Sequence, residues 1–118
     1  MKDFKKLNVW QKSIDLVASI YNISKDFPTE EKYGLTGQVT RSAVSIPSNI
    51  AEGSSRQSEK DYFRFLEIAL GSAFELETQL IIIEKLDFIN STDIIRLIDE
   101  VKSIQKMLSG LMSKLNRS

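Results

Sequence analysis

Residues 58–87, SEKDYFRFLEIALGSAFELETQLIIIEKLD, decide the fold. The apolar positions Tyr62, Leu66, Ala69, Ala73, Leu76, Leu80 and Ile83 are separated alternately by four and three residues. At about 100° per residue this spacing draws one stripe along a helix, with no period-two alternation to compete. Ser58, with Asp61 three residues later, resembles a capping box that opens the helix. Sustained heptad spacing favours packing of helices at about 20° between axes. The segment therefore reads as a long helix over residues 59–87 that lies alongside others.

Beyond the break at Asn90-Ser91, residues 92–116 repeat the pattern with Leu97, Val101, Ile104, Leu108, Leu111 and Leu115. On the other side, residues 30–54 carry Leu35, Val39, Ala43, Ile46 and Ile50, and Thr29 with Glu30 and Glu31 reads as an N-cap with acids in the first turn. Pro47 inside this helix removes a backbone donor, which predicts a kink or local irregularity. Residues 5–26 show a stripe of Leu7, Trp10, Ile14, Val17 and Tyr21, expected to stop before Phe27-Pro28 because a residue preceding proline disfavours helical geometry. Four helices with short links and no strand candidate predict an all-α, antiparallel up-down four-helix bundle, one domain over residues 1–118.

Composition narrows the chemistry. The chain has 118 residues, 42% hydrophobic and 27% charged, with 16 Lys and Arg against 16 Asp and Glu. It contains no cysteine and no histidine. Disulfides, thiolate metal sites, cysteine nucleophiles and imidazole acid–base catalysis are excluded together, as are di-iron sites that need Glu-x-x-His pairs. Ser42, Ser45 and Ser48 have no histidine to act as base. No Walker phosphate loop and no Gly-x-Gly-x-x-Gly occurs, so no enzymatic motif is present and no catalytic residue or cofactor is assigned. The N-terminal residues lack a signal-peptide pattern, and no apolar run reaches the roughly 18 residues of a membrane span. A cytoplasmic location and no membrane partner are expected.

Three features ask for a role. The second helix has a wide apolar arc extended by Val44 and Ala51, and the third adds Phe63, Leu70, Phe74 and Ile81 beside its seam. These residues either roof the edges of one core or form a second buried face. Self-association in closed cyclic symmetry is the favoured reading. Glu77 and Glu84 lie seven apart within the apolar arc of the third helix. A structural ion pair is favoured there over acid–base or metal chemistry, since no third ligand or nucleophile accompanies them. Arg41, Ser45, Ser48 and Glu52 form a polar stripe on the second helix, a solvated face or a seam between chains, with Glu52 and Arg56 spaced for an i,i+4 pair.

Charge is placed unevenly although it sums to zero. In an up-down bundle, residues 2–8, 52–64 and 112–118 share an end. They hold eight bases (Lys2, Lys5, Lys6, Arg56, Lys60, Arg64, Lys114 and Arg117) against four acids (Asp3, Glu52, Glu59 and Asp61), a net of +4. At the other end, residues 22–34 and 82–96 hold four bases against six acids. Parallel copies side by side would multiply the positive end into a surface able to neutralise phosphates. The alternative is ordinary scatter of charge over solvated helix ends.

The run Tyr33-Gly34-Leu35-Thr36-Gly37-Gln38, followed by Arg41-Ser42-Ala43-Val44-Ser45-Ile46-Pro47-Ser48-Asn49-Ile50-Ala51-Glu52-Gly53, is distinctive. With Val9-Trp10-Gln11-Lys12 before it and Phe65-Leu66-Glu67-Ile68-Ala69-Leu70-Gly71-Ser72 after it, the chain resembles the bacterial four-helix bundle family encoded in intervening sequences of 23S ribosomal RNA genes. The resemblance runs from about Phe4 to the end of the chain. It implies the same fold and assembly into a homopentameric ring. That family is also similar to the basic pentameric accessory protein of diversity-generating retroelements, which binds nucleic acid. The expected activity is accordingly non-enzymatic RNA or DNA binding through Lys5, Lys6, Arg56, Lys60 and Arg64, with contacts to phosphate rather than to bases. Arg41, Ser45, Asn49 and Glu52 are expected at an interface, with Arg41 and Asn49 hydrogen-bonded between helices or subunits. The alternative is a structural ring that docks an unknown protein partner without nucleic acid.

Overall fold

The computed structural model describes residues 3–31 and 34–117. Lys2, Lys32 and Tyr33, which enter the charge counts and the motif above, lie outside the described residues. Four helices follow in order: α1 (Asn8–Ser24), α2 (Leu35–Ser54), α3 (Glu59–Leu86) and α4 (Ser91–Met112). No strand occurs among the described residues. Each helix packs on its neighbours in sequence and α4 returns to α1, while the backbones of the diagonal pairs α1/α3 and α2/α4 stay farther apart across the core. The bundle is thus a square in section, with α2 and α3 sharing the most extensive seam and α1 and α4 the thinnest. It measures 45 × 23 × 22 Å.

Local chemistry sets the ends. Ser58 caps α3 by accepting the Asp61 backbone N–H on its hydroxyl at 3.1 Å, and Asn90 Oδ1 accepts from Thr92 N–H at 2.8 Å to open α4. Asp87 ends α3 with φ 60°, the left-handed region that Asp and Asn tolerate better than most side chains. Two starts differ from the sequence reading. Phe4–Lys6 form a separate 3₁₀ turn capped by Asp3, and extended backbone at Leu7 divides it from α1. Thr29–Glu31 form another 3₁₀ turn rather than the first turn of α2. Gly34, at φ −104° and ψ −113°, takes a non-helical conformation immediately before Leu35, so α2 begins five residues later than expected. At the other end, α4 stops at Met112 rather than continuing to 116.

Helix α2 runs from Leu35 to Ser54 without a break at Pro47. Proline deletes one ladder hydrogen bond, from the position whose acceptor would be the Ala43 carbonyl. Buried Ile46 and Ile50 on either side hold the helix against the core.

The core follows the seams of α2, α3 and α4. Val39, Ala43, Ile46 and Ile50, all seven predicted positions of α3, and Leu97, Val101, Ile104 and Leu108 are buried. Each fully buried Leu or Ile stabilises by about 1.5–3 kcal/mol relative to exposure. Helix α1 is a correction. Its core stripe is Val9, Ser13, Leu16, Ile20 and Ile23, not Leu7, Trp10, Ile14, Val17 and Tyr21. Ile14 is 40% and Tyr21 50% exposed. Ser13 interrupts the true stripe in sequence, but its hydroxyl donates to the Trp10 carbonyl at 2.7 Å and so can be buried. No described helix is long and apolar enough to cross a membrane.

Candidate functional site

The up-down path brings the start of α1, the end of α2, the start of α3 and the end of α4 to one end of the bundle. Lys5 and Lys6 stand on the 3₁₀ turn, which packs on α1 and α2. Arg56 follows α2, and Lys60 and Arg64 occupy the first two turns of α3. All five side chains are exposed. The two helix N-termini and two C-termini at this end oppose one another, so helix dipoles add little net field.

Each acid at this end is engaged locally. Asp3 caps the 3₁₀ turn and lies 4.0 Å from Lys6 Nζ. Glu52 accepts from Arg56 at 2.9 Å, and Asp61 lies 3.6 Å from Arg64. Glu59 Oε1 accepts the Asn116 backbone N–H at 2.8 Å, fastening the chain after α4 to the start of α3. Among the described residues, no carboxylate lies within ion-pair distance of Lys5, Lys60, Lys114 or Arg117. Two guanidinium groups rest on aromatic faces, Arg56 4.6 Å above the Phe65 ring and Arg117 4.7 Å above Phe63. Such stacking orients the guanidinium planes while leaving them charged. Phe63 and Phe65 were not legible as partners, because nothing local in the sequence links them to Arg117 or Arg56.

The polar stripe divides in two. Its upper part is a seam between α2 and α3, where Ser42 Oγ donates to Glu75 Oε1 at 3.0 Å and the hydroxyls of Ser45 and Ser72 meet at 2.8 Å. Asn49 donates within α2, to the Ser45 carbonyl at 2.8 Å and the Ser45 hydroxyl at 2.9 Å. Within the subunit, Ser45 rather than Asn49 bonds across to α3. Arg41 is exposed and makes no hydrogen bond or ion pair to the described residues, so within the subunit it joins no two helices. It lines an open cleft of about 250 Å³ with Gln38, Ser42, Ser45, Ser72, Glu75 and Gln79. Gln79 is 6% exposed, and its Oε1 is buried without a hydrogen-bond partner. Further along, Ser48 and Glu52 are solvated.

Glu77 and Glu84 are half-buried. Glu77 Oε1 accepts from Gln105 Nε2 of α4 at 2.8 Å, a neutral partner in place of the expected cation. Among the described residues, no three acidic side chains converge as a metal site would need. Among the described residues, the group with a displaced pKa is Tyr62, whose phenol burial pushes above its ordinary value.

The surplus apolar residues of α2 and α3 lie on different sides. Val44 and Ala51 line a groove between α1 and α2 with Phe4, Trp10, Ile14, Val17 and Pro47. Phe74 is 53% and Ile81 39% exposed on α3. They share the edge of Glu77, which the bond to Gln105 turns towards α4.

The family described as 23S rRNA-intervening sequence protein matches residues 5–110. Among solved structures, the chain is similar to a protein of unknown function from the S23 ribosomal protein family of Bacteroides thetaiotaomicron. The two share 29% sequence identity and a TM-score of 0.83, over 90% of this chain and 99% of the other. No functionally curated protein matches the chain.

Proposed function

The chain belongs to the 23S rRNA-intervening sequence protein family, and on that premise we propose that it is a non-enzymatic, self-associating cytoplasmic bundle whose basic end binds the phosphate backbone of RNA or DNA. The supporting observation is the convergence of Lys5, Lys6, Arg56, Lys60 and Arg64 on one end, where every acid already has a local partner. The three ion pairs there are exposed, and pairs of this kind are worth only a few tenths of a kcal/mol. A phosphate can displace them at small cost. Few amide or aromatic side chains stand free among these bases, so binding would be tight in proportion to charge and indifferent to sequence. A homo-oligomer of parallel copies, five by the resemblance above, would repeat the basic end around one axis.

The exposed apolar sides favour a second reading, a scaffold that associates with itself and with a protein partner and binds no nucleic acid. The two readings separate in a salt titration of the purified protein with structured RNA and duplex DNA, followed by fluorescence anisotropy. The first expects log Kobs to fall linearly with log salt, and the slope to shrink by about 0.9 per lost phosphate contact when Arg56, Lys60 and Arg64 are neutralised together. Affinity no better than millimolar at low salt overturns it and leaves the scaffold.

A further inference from the structure

We propose that the cleft between α2 and α3 binds a free α-amino acid, its carboxylate held by Arg41 and its ammonium group between Glu75 and Gln79. The described residues that line this cleft are all polar. It stands apart from the basic end, since Arg41 lies about 20 Å along α2 from Ser54, and the inference does not depend on nucleic-acid binding. Gln79 carries it. This side chain is 6% exposed, makes no hydrogen bond to the described residues, and has its Oε1 buried without a partner. A buried polar group left unpaired costs stability and is rare in a native protein, so an unpaired amide on the wall of a polar cleft points to a ligand. The terminal torsion of glutamine is broad, and a half-turn about it presents either amide atom to the cleft.

Charge selects the ligand. Arg41 and Glu75 are both exposed and both line the cleft, yet they form no ion pair with each other. Glu75 accepts from Ser42 on Oε1 alone, which leaves Oε2 free. A phosphate or a simple carboxylate would meet Arg41 but face the charge of Glu75, and would bring no donor to Gln79. A simple amine or a metal ion would face Arg41. A zwitterion answers both side chains at once. Its ammonium group has three protons to share between Glu75 Oε2 and the Gln79 carbonyl, and its carboxylate accepts the two-pronged bond that a guanidinium offers. A further donor is at hand. Ser45 and Ser72 use one hydroxyl proton in the bond between them and Ser45 also accepts from Asn49, so the second hydroxyl proton of the pair is free for the carboxylate. The cleft of about 250 Å³ is smaller than the pockets of drug-sized ligands and has no apolar wall. It therefore suits an amino acid with a small or polar side chain, since a bulky apolar one would find nothing to pack against.

The test is a thermal-unfolding screen of the full chain against each of the standard L-amino acids, followed by titration calorimetry of those that respond. At ten times its Kd, a bound amino acid is expected to raise Tm by about 5 °C, with glycine, serine, alanine or asparagine among the responders. For L-serine, the probes N-acetyl-L-serine and ethanolamine each remove one charge, and each is expected to bind at least tenfold more weakly; the corresponding pair serves for any other responder. Arg41→Gln and Glu75→Gln, both at exposed positions, are expected to lower affinity by tenfold or more. Gln79→Met is expected to abolish the response while leaving the unliganded chain folded, a result that a purely structural role would not give. Should that variant fail to fold, the two exposed variants carry the test. No amino acid binding more tightly than about 10 mM overturns the inference. So does an acetylated or decarboxylated analogue that binds as well as its parent, which would mark a simple cation or anion site, and so does affinity that survives both Arg41→Gln and Glu75→Gln.

Discussion

Replacing Gly53 by alanine tests a close approach of α2 to α3. A Cβ at Gly53 would stand 2.6 Å from Phe65 Cβ, 3.0 Å from Tyr62 Cδ1 and 3.4 Å from the Tyr62 carbonyl. Carbon atoms pack favourably at about 3.5–4.0 Å, so α2 and α3 would have to separate by roughly 1 Å here. Phe65 Cβ is bonded directly to the α3 backbone, and no rotamer change moves it aside. Overpacking of this kind costs about 1–3 kcal/mol, and the rigid obstacle places Gly53→Ala at the upper end. Alanine's better helix propensity returns up to about 1 kcal/mol, leaving a net loss of about 2 kcal/mol. For a chain of this length that lowers Tm by roughly 6–10 °C. Thermal and urea unfolding by circular dichroism measure the loss, at one protein concentration because association itself raises Tm. Gly71→Ala is the control: a Cβ there meets nothing within 4 Å, so the propensity gain of about 0.5–1 kcal/mol should appear as added stability. A Gly53→Ala chain as stable as the wild type would refute the close crossing of α2 on α3.

Two further substitutions probe buried polar atoms. The Tyr62 hydroxyl is buried without a partner, so Tyr62→Phe is expected to raise stability by about 1 kcal/mol in a urea titration, and a loss would show that the hydroxyl is hydrogen-bonded. Burial raises the Tyr62 pKa, so the unfolded chain releases its phenolic proton first and stability falls as pH rises beyond about 10. The phenylalanine variant should lose that part of the alkaline decline. Gln79→Met keeps the side-chain length and removes the unpaired amide, with an expected gain of about 1 kcal/mol. A fall in stability would show that the Gln79 amide is hydrogen-bonded in solution.

Periodicity carried α2, α3 and α4 because their core stripes are unbroken runs of apolar residues, as at Tyr62 through Ile83. It misled at α1, where two stripes compete and the one free of an interrupting serine is the outer one. Nothing local says that a serine can join a core by bonding back to Trp10, while Ile14 and Tyr21 stay half outside. The lysines and arginines of the basic end follow from topology alone, since an up-down path puts those segments together. Their partners do not: Phe63 beneath Arg117 and Glu59 on Asn116 depend on how two distant segments cross. The Gln79 cleft was equally hidden. A glutamine beside a seam reads as solvated until the neighbouring helix covers it. The early start expected for α2 failed on Gly34, whose freedom to leave helical geometry outweighs the cap signal at Thr29.

The inequality of the four seams bears on how the molecule opens. α1 closes the square through its thin contact with α4, beside the polar cleft at Lys12 and Glu100, whereas α2 and α3 form an antiparallel hairpin with the most extensive packing. Local opening follows the weakest contacts, so amide protons of α1 should exchange with solvent through sub-global detachment, well before those of the α2–α3 hairpin, which report global unfolding. The same helix supplies one wall of the apolar groove it shares with α2, through Trp10, Ile14 and Val17. Slower exchange in α1 as protein concentration rises would therefore show that self-association covers that groove.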